Sequence, residues 1–206
     1  MAKVVQCQTF DGRRVEFIDE VIGSGAMKDV YFSPDKSYVV CFFSKEKNKF
    51  YDSPAEFERQ KDRLKEIVGN KWQGIFQGVG GDYWKNLFCW PDALLEHNGL
   101  LGITAPTYQK QFFFAVGSKN NDFLGIKGKE KEGKWFASAN NQNRFLDDSE
   151  KGTWLNYLKI CLLIARAVRR MHAAGLAHSD LSYKNIILLL MYKNIVFKTN
   201  ILLKKH

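Results

Sequence analysis

One polar loop carries the residues of this chain that are best suited to chemistry. His178, Asp180 and Asn185 lie in one short segment, between a glycine at Gly175 and an apolar run that begins at Ile186. A carboxylate can accept a proton, and an amide oxygen can bind a hard metal ion. Aspartate and asparagine are also common turn residues, so an ordinary connection between a helix and a strand is the alternative interpretation.

The loop at 178–185 reads His-Ser-Asp-Leu-Ser-Tyr-Lys-Asn. It resembles the catalytic loop of eukaryotic-type protein kinases, whose pattern is His-x-Asp-Leu, three variable residues and Asn. The resemblance implies that Asp180 orients or deprotonates the acceptor hydroxyl and that Asn185 is a magnesium ligand. It implies a structural role for His178, which would hold the loop by hydrogen bonds.

A second motif lies near the N-terminus. Gly23-Ser24-Gly25, with Val30 five residues after the second glycine, resembles the glycine-rich loop that covers the ATP phosphates in the same family. Glycine suits this place because a side chain would keep backbone amides away from phosphate oxygens. Lys28 replaces the third glycine of the pattern. We expect Gly23, Ser24, Gly25 and Val30 to bind the nucleotide, and a plain glycine turn between strands is the alternative.

The resemblance also requires a lysine in the third strand, paired with a glutamate of the following helix. In this chain the lysine position falls on Phe42 or Phe43, and Lys45 is the nearest cation. A solvated surface lysine is the alternative interpretation of Lys45. The sequence does not choose among three candidate partners on the helix, which are Glu56, Glu58 and Glu66.

The chain departs from the kinase pattern after Asn185. No acidic residue follows Asp180, so the second metal ligand, the Asp of Asp-Phe-Gly, is missing from its expected place near 198–200. Ser179 and Ser182 stand where most kinases have Arg and where those acting on Ser or Thr have Lys, and Lys184 is a partial substitute. These departures predict a C-terminally truncated chain, either a fragment of a longer kinase-like protein or one whose end was replaced by an unrelated basic tail. In both cases we expect the chain to be weakly active or inactive.

Alternation and turn residues predict the elements that position these motifs. A hairpin about Asp11-Gly12, strands at 20–32 and 38–43, and a second hairpin at 93–105 predict an antiparallel sheet. Ser53, Pro54 and Glu56 predict the start of a helix that ends at Gly69-Asn70. This order matches a kinase N-lobe, so we expect an α+β, protein kinase-like fold with its N-lobe at 1–108.

Residues 109–206 are expected to form a partial helical C-lobe. It contains a polar insertion at 117–151, a core helix at 153–174, the catalytic loop at 178–185 and the basic tail. The helix is apolar around most of its circumference, and the later helices that would cover it are missing. We therefore expect an exposed apolar face that favours self-association.

Composition limits the classes of protein that this chain can belong to. The longest apolar runs, 160–165 and 186–191, are too short to span a bilayer, and the N-terminus lacks a secretory signal. The four cysteines are widely spaced, which fits reduced thiols in the cytoplasm: Cys7, Cys41, Cys89 and Cys161. The formal charge of +9 allows nucleic-acid binding, but no known binding motif accompanies it, so we expect neither nucleic acid nor membrane as a partner.

Among kinases, the sequence is most similar to bacterial kinase-like proteins associated with tellurite-resistance gene clusters. The shared features are the loop at 178–185 and the short turn between the second and third strands. This implies transfer of the γ-phosphoryl group of ATP to a protein Ser or Thr, with Mg²⁺. A small-molecule phosphotransferase and a non-catalytic nucleotide- or protein-binding module remain open as alternatives.

Overall fold

The structure is a computed structural model, and it describes residues 3–178, 181–189 and 194–198. The chain folds as two compact units. The first unit contains Met1–Gly74 and Trp90–Thr107, and the second contains Ile75–Cys89 and Tyr108–His206. No helix within the described ranges is long and apolar enough to span a bilayer.

Within the described residues, the strands form three sheets. In chain order they are β1 Val4–Gln8, β2 Arg14–Ile18, β3 Gly23–Ser24, β4 Lys28–Phe32, β5 Tyr38–Phe43, β6 Phe88–Cys89, β7 Ala93–His97, β8 Leu100–Pro106, β9 Ile186–Leu189 and β10 Asn194–Lys198. Strands β1 and β2 form a hairpin, and β3-β4-β5-β8-β7 form an antiparallel five-stranded sheet in the first unit. In the second unit, β10 lies between β6 and β9, parallel to the former and antiparallel to the latter.

The helices are short except for two. In chain order they are α1 Pro54–Glu66, α2 Trp72–Phe76, α3 Gly81–Lys85, α4 Lys119–Asp122, α5 Gly133–Ala137, α6 Ala139–Phe145 and α7 Trp154–Ala173. Single 3-10 turns lie at Lys45–Lys47, Lys49–Asp52, Lys110–Phe112, Asp148–Glu150 and Tyr183–Asn185.

Both predicted hairpins are confirmed. Strand β1 pairs with β2, and β7 pairs with β8 across the Asn98-Gly99 turn. The connection about Asp11-Gly12 is longer than the predicted two-residue turn, because the Thr9 amide donates to the Arg13 carbonyl at 2.9 Å. The alternation of apolar residues therefore located the strands correctly. The connection between them is longer than the turn that Asp11-Gly12 predicted.

The N-terminal hairpin covers one face of the five-stranded sheet. Phe42 on β5 packs edge-to-face against Phe17 on β2, with ring centroids 5.3 Å apart. Val40 and Leu95 belong to the same buried cluster. Gly102 on β8 pairs with Phe42, and a Cβ on this glycine would lie 2.7 Å from the ring. Glycine thus leaves the space that the Phe42 ring occupies.

Helix α1 begins where the sequence predicted, but the predicted stop at Gly69-Asn70 is wrong. Ser53 is the N-cap residue and Pro54 occupies the first turn. The chain then continues through a π-helical turn at Ile67–Lys71 into α2. Ile67 is buried, and its carbonyl accepts a hydrogen bond from Trp90 Nε1 at 3.1 Å. The burial of Ile67 and this hydrogen bond hold the π-helical turn in place, so the helical path continues past the local stop signal.

Helix α7 begins and ends as predicted. The Thr153 hydroxyl accepts a hydrogen bond from the Asn156 amide at 3.3 Å, which caps the first turn. Gly175 has a φ of 69°, and the Leu176 amide donates to the Met171 carbonyl at 2.9 Å. This is the Schellman motif that commonly ends a helix.

The two faces of α7 differ in burial. Ile160 and Ala167 are fully buried on one face. A stripe of large apolar side chains is exposed on the other: Trp154 (72%), Leu155 (55%), Leu158 (49%) and Leu162 (55%). The expected exposed apolar face is therefore present in the described structure.

The polar insertion at 117–151 is organised by side chains that bond to the backbone. The Asp122 carboxylate accepts hydrogen bonds from the amides of Ser118 at 2.9 Å, Ile126 at 3.0 Å and Lys127 at 2.8 Å. These donors hold the pKa of Asp122 well below its usual range. The insertion also contains the short helices α4, α5 and α6, so it is a folded segment rather than a long open loop.

Candidate functional site

The glycine motif forms a tight turn between β3 and β4. The Gly25 amide donates to the Lys28 carbonyl at 2.9 Å, and Gly23 pairs with Val30. A Cβ on Gly23 would meet no atom within 4 Å, and one on Gly25 would meet only the Lys28 carbonyl oxygen, at 3.7 Å. The structure thus brings Gly23, Gly25 and Val30 together, with open space beside the turn. Whether they bind a nucleotide stays a prediction.

Ser24 takes part in a small polar network on one side of this turn. Lys47 Nζ donates to Ser24 Oγ at 2.6 Å and lies 2.8 Å from Asp29 Oδ1. The Ser24 hydroxyl also donates to Asp29 Oδ1 at 2.6 Å. Hydrogen bonds from Lys47 and Ser24 lower the pKa of Asp29. Lys47, which sequence reasoning passed over, is therefore engaged in holding β3 to β4.

The register of β4 and β5 sorts the nearby side chains onto two faces. Directly paired residues of neighbouring strands point to the same side of a sheet, and successive residues alternate. Lys28 pairs with Phe43 and Val30 pairs with Cys41, so these four share a face. Asp29 pairs with Phe42, on the face that the hairpin covers. Of the two predicted lysine positions, Phe42 therefore belongs to the hairpin core, and only Phe43 lies on the face of Val30.

Lys45 follows the end of β5 and lies in a 3-10 turn. Its Nζ is 6.0 Å from the centre of the Tyr51 ring and 3.6 Å from the position of a Cβ on Gly99. It lines a cleft of about 300 Å³ together with Asp29, Ser44, Glu46, Asn98 and Leu100. The structure directs Lys45 toward the turn between β7 and β8 rather than toward the glycine turn.

The three candidate glutamates of α1 each contact a neighbour along the same helical segment. Glu56 pairs with Arg59 at 2.7 Å, Glu58 pairs with Lys61 at 3.1 Å and Glu66 accepts from Asn70 Nδ2 at 2.7 Å. Because each contact is local, the described structure does not select one of them as the partner of a strand lysine.

In the second unit, the loop at 178–185 is described in part. Asp180, the predicted catalytic residue, lies outside the described residues. Asn185 is 4% exposed and ends a 3-10 turn in which its amide donates to the Ser182 carbonyl at 3.0 Å. Its Nδ2 also donates to Ser182 Oγ at 3.2 Å, which fixes the orientation of the side chain. His178 is half-buried and Lys184 is exposed.

Gly133 packs against this loop, and sequence reasoning missed it. A Cβ on Gly133 would lie 3.1 Å from the Tyr183 carbonyl oxygen and 3.2 Å from its Cα. Glu132 forms a β-bridge with Ile187, which is fully buried. The insertion thus supports the backbone on both sides of Asn185. Only the glycine itself signals this in the sequence, and nothing local reveals its partner.

A buried ion pair holds the insertion together. Lys131 Nζ lies 2.8 Å from Glu150 Oε2, with side chains 8% and 3% exposed. Glu150 Oε1 accepts from the Val116 amide at 2.7 Å. Burial alone would raise the pKa of Glu150, but Lys131 and the backbone donors outweigh it, so the pKa lies below its ordinary value. Sequence reasoning placed both residues in the polar insertion and did not single out either of them.

Comparison with known proteins bears on the fold. No protein-family model matches the sequence, and no curated protein matches it. Among solved structures, a double mutant of the PknI kinase domain of Mycobacterium tuberculosis matches with 17% identity and a TM-score of 0.50, over 88% of this chain and 59% of that one. A single mutant of that domain matches with 18% identity and a TM-score of 0.49, over 87% and 56%. The structure of vaccinia related kinase 3 matches with 10% identity and a TM-score of 0.49, over 94% and 49%.

The chain spans between 49% and 59% of the length of these three solved chains. At such low identity, the likeness concerns the fold and not the activity. The α+β arrangement predicted from the sequence, an antiparallel sheet with helices, is a protein kinase-like fold.

Proposed function

We propose that this protein is a nucleotide-binding, kinase-like protein whose ancestral reaction is phosphoryl transfer from ATP to a protein Ser or Thr. The observation that carries the proposal is the turn at Gly23 and Gly25, which leaves open space where any side chain would stand. Backbone amides of such a turn can approach phosphate oxygens closely. The apolar surface of Val30 and Cys41, paired on neighbouring strands, would contact the base.

The loop at 178–185 supports the phosphoryl-transfer part of the proposal. In that reaction the bond from the γ-phosphorus to its bridging oxygen breaks, a bond to the acceptor hydroxyl oxygen forms, and Asp180 would take the hydroxyl proton. Asn185 fits as one ligand of Mg²⁺, since a side-chain amide oxygen is a hard donor of the kind that this ion binds. Bound Mg²⁺ supplies charge neutralisation at the phosphates.

We infer that residues 1–206 catalyse the reaction weakly or not at all. Electrostatic stabilisation and positioning supply most of the acceleration in phosphoryl transfer. No carboxylate follows Asp180 in the sequence, so Asn185 is the one recognisable metal ligand among the described residues. The lack of a second acidic metal ligand after Asp180 favours the alternative function, a non-catalytic module that binds a nucleotide or another protein.

Nucleotide binding is tested by thermal shift and calorimetry with ATP and Mg²⁺. We expect wild-type protein to be stabilised and Gly25→Val to lose the stabilisation, because valine fills the space beside the turn. Gly69→Val is the matched control, since a Cβ there meets no atom within 4 Å and the residue lies far along the chain from the turn. Absence of any shift at saturating ATP contradicts the proposal.

Catalysis is tested by incorporation of label from γ-labelled ATP into a general protein substrate. We expect little or no transfer by wild type and none by Asp180→Ala. Robust transfer that the Asp180 variant abolishes would show that the chain is an active enzyme. Transfer to a small-molecule acceptor but not to protein would favour a small-molecule phosphotransferase.

We propose that a second copy of the chain binds the exposed face of α7. Leu155, Leu158 and Leu162 recur at spacings of three and four, which is the pattern of helices that pair. Light scattering should show concentration-dependent association, which the paired change Leu158→Gln and Leu162→Gln abolishes. A monodisperse monomer at high concentration contradicts this proposal.

We further propose a cytoplasmic setting and a relationship to the bacterial kinase-like proteins associated with tellurite resistance. All four cysteines of the chain lie in the described part and none of them forms a disulfide, which supports a reducing compartment. Alkylation of intact cells followed by mass analysis would detect all four as reduced if the proposal is correct.

A further inference from the structure

The first position of β4 and the 3-10 turn after β5 carry three lysines whose surroundings differ: Lys28, Lys45 and Lys47. Lys47 is held by Asp29 and Ser24, on the face of the sheet that the hairpin covers. Lys45 lies over the Tyr51 ring, next to the turn between β7 and β8. Neither of these two cations lies on the face that carries Val30.

Lys28 does lie on that face. It occupies the first position of β4, and its carbonyl closes the glycine turn by accepting from the Gly25 amide. Its side chain projects on the same side as Val30, and its Nζ is 5.6 Å from the centre of the Phe43 ring. The charged end is therefore placed along the face of the sheet next to the turn, rather than out into solvent from its edge.

The position of Cys41 supports this placement. Cys41 pairs with Val30, two residues along from Lys28, and Cys41 is 8% exposed. Burial raises the pKa of this thiol, and the charge of Lys28 acts in the opposite direction. The positive charge of Lys28 therefore acts on Cys41, at the centre of the face. The residues that β5 itself contributes to this face are Val39, Cys41 and Phe43.

We propose that Lys28 is the cation that binds the phosphates of the nucleotide, in the role that a lysine on the third strand has in other protein kinases. The inference rests on the proposed nucleotide binding at the glycine turn. A lysine is a flexible point charge with three donors, so it can follow phosphate oxygens from a neighbouring strand. This role explains two departures from the kinase pattern together. Lys28 replaces the third glycine, and β5 contains no lysine, because the phosphate-binding lysine lies on β4.

The test compares variants of the full chain by calorimetry with ATP, ADP and adenosine in the presence of Mg²⁺. Lys28→Met keeps the length of the stem and removes the charge, Lys28→Arg keeps the charge, and Lys45→Met is the matched control. We expect Lys28→Met to weaken ATP binding about tenfold or more, the loss typical of a hydrogen bond to a charged group. The Kd for ATP of Lys28→Arg and of Lys45→Met should stay within about threefold of the wild-type value. The Kd for adenosine should be the same in Lys28→Met as in wild type.

Each outcome has a separate meaning. If wild type binds ATP and Lys45→Met weakens binding while Lys28→Met does not, the inference is wrong and the proposed nucleotide binding stands. If Lys28→Met weakens the binding of adenosine as much as the binding of ATP, the lysine supports the fold of the turn and does not bind phosphate. If wild type does not bind ATP at all, the proposed function and this inference are both wrong. Melting of each variant without ligand controls for loss of folding.

Discussion

Around Gly25 the backbone borders open space, whereas around Asn185 it is packed against another segment. The glycine turn is held by the β3–β4 ladder and by a partly exposed network of Lys47, Asp29 and Ser24. Asn185 itself is buried, and the backbone of Tyr183 in the same loop packs against Gly133. The two regions should therefore respond differently to substitution. Changes near the turn should alter ligand binding with little loss of stability, and changes near the loop should alter stability first.

The largest loss of stability is expected for Glu150→Gln. The variant keeps the volume and one accepting oxygen but leaves the Lys131 charge buried without its partner, which costs about 3 to 5 kcal/mol. Chemical denaturation measures the free energy of unfolding. The matched control is Glu132→Gln, because Glu132 forms a more exposed pair with Lys134 and should contribute less than about 1 kcal/mol.

The double change Lys131→Met and Glu150→Gln sharpens this result, since it removes both charges. It should recover much of the loss, because the remaining groups carry no unpaired charge. A Glu150→Gln variant as stable as the Glu132 control would contradict the view that the insertion depends on a buried pair.

The same carboxylate predicts a pH dependence. Glu150 has a folded-state pKa below its ordinary value of 4.5. A carboxyl group with a lowered folded-state pKa stabilises the fold above its unfolded pKa, and this stabilisation is lost as the pH falls through the folded value. The difference in stability between wild type and Glu150→Gln should therefore be full near pH 6 and shrink below about pH 4.5. A difference in stability between the two proteins that stays constant over this pH range would contradict the lowered pKa of Glu150.

Local patterns in the sequence were enough to locate most elements of both regions. Alternation placed β4 and β5, and the capping residue Thr153 together with Gly175 placed α7, because these signals act within a few residues. The glycine turn was found for the same reason. Each of these features depends on backbone geometry that neighbouring residues determine.

What the sequence did not predict depends on distant partners. The lysine position was assigned to Phe42 or Phe43, but which face each residue occupies is decided by the docking of Phe17 from the N-terminal hairpin. The predicted helix end at Gly69 was wrong because the segment is held in a π-helical turn, in which the Ile67 carbonyl accepts a hydrogen bond from the Trp90 side chain. Such contacts join residues that are tens of positions apart, so no local pattern encodes them.

A smaller loss of stability is expected for Gly133→Ala. Alanine is the better helix former at the start of α5, but its Cβ would press on backbone atoms of Tyr183 that cannot rotate away. We expect a loss of about 1 to 3 kcal/mol by chemical denaturation, as for other overpacked sites. Gly69→Ala is the control, since its Cβ meets open space and should leave stability equal or raise it by up to about 1 kcal/mol. Equal stability gains in both variants would show that the loop at Asn185 is not tightly packed.

The smallest loss of stability is expected for Asp29→Asn, at the glycine turn. The variant keeps the shape of the side chain and removes the charge opposite Lys47, whose side chain is 30% exposed. Solvent screens a pair of this kind, so the loss should stay below about 1 kcal/mol and shrink as salt is added. The turn should nevertheless loosen, because an amide oxygen accepts the hydrogen bond from Ser24 less strongly than the carboxylate of Asp29 does. Hydrogen exchange at the Gly25 amide, which donates to the Lys28 carbonyl, should become several-fold faster while exchange in β8 is unchanged. A salt-independent loss above about 2 kcal/mol, or faster exchange throughout the sheet, would mean that the turn is as tightly packed as the loop at Asn185, and the contrast between the two regions would not hold.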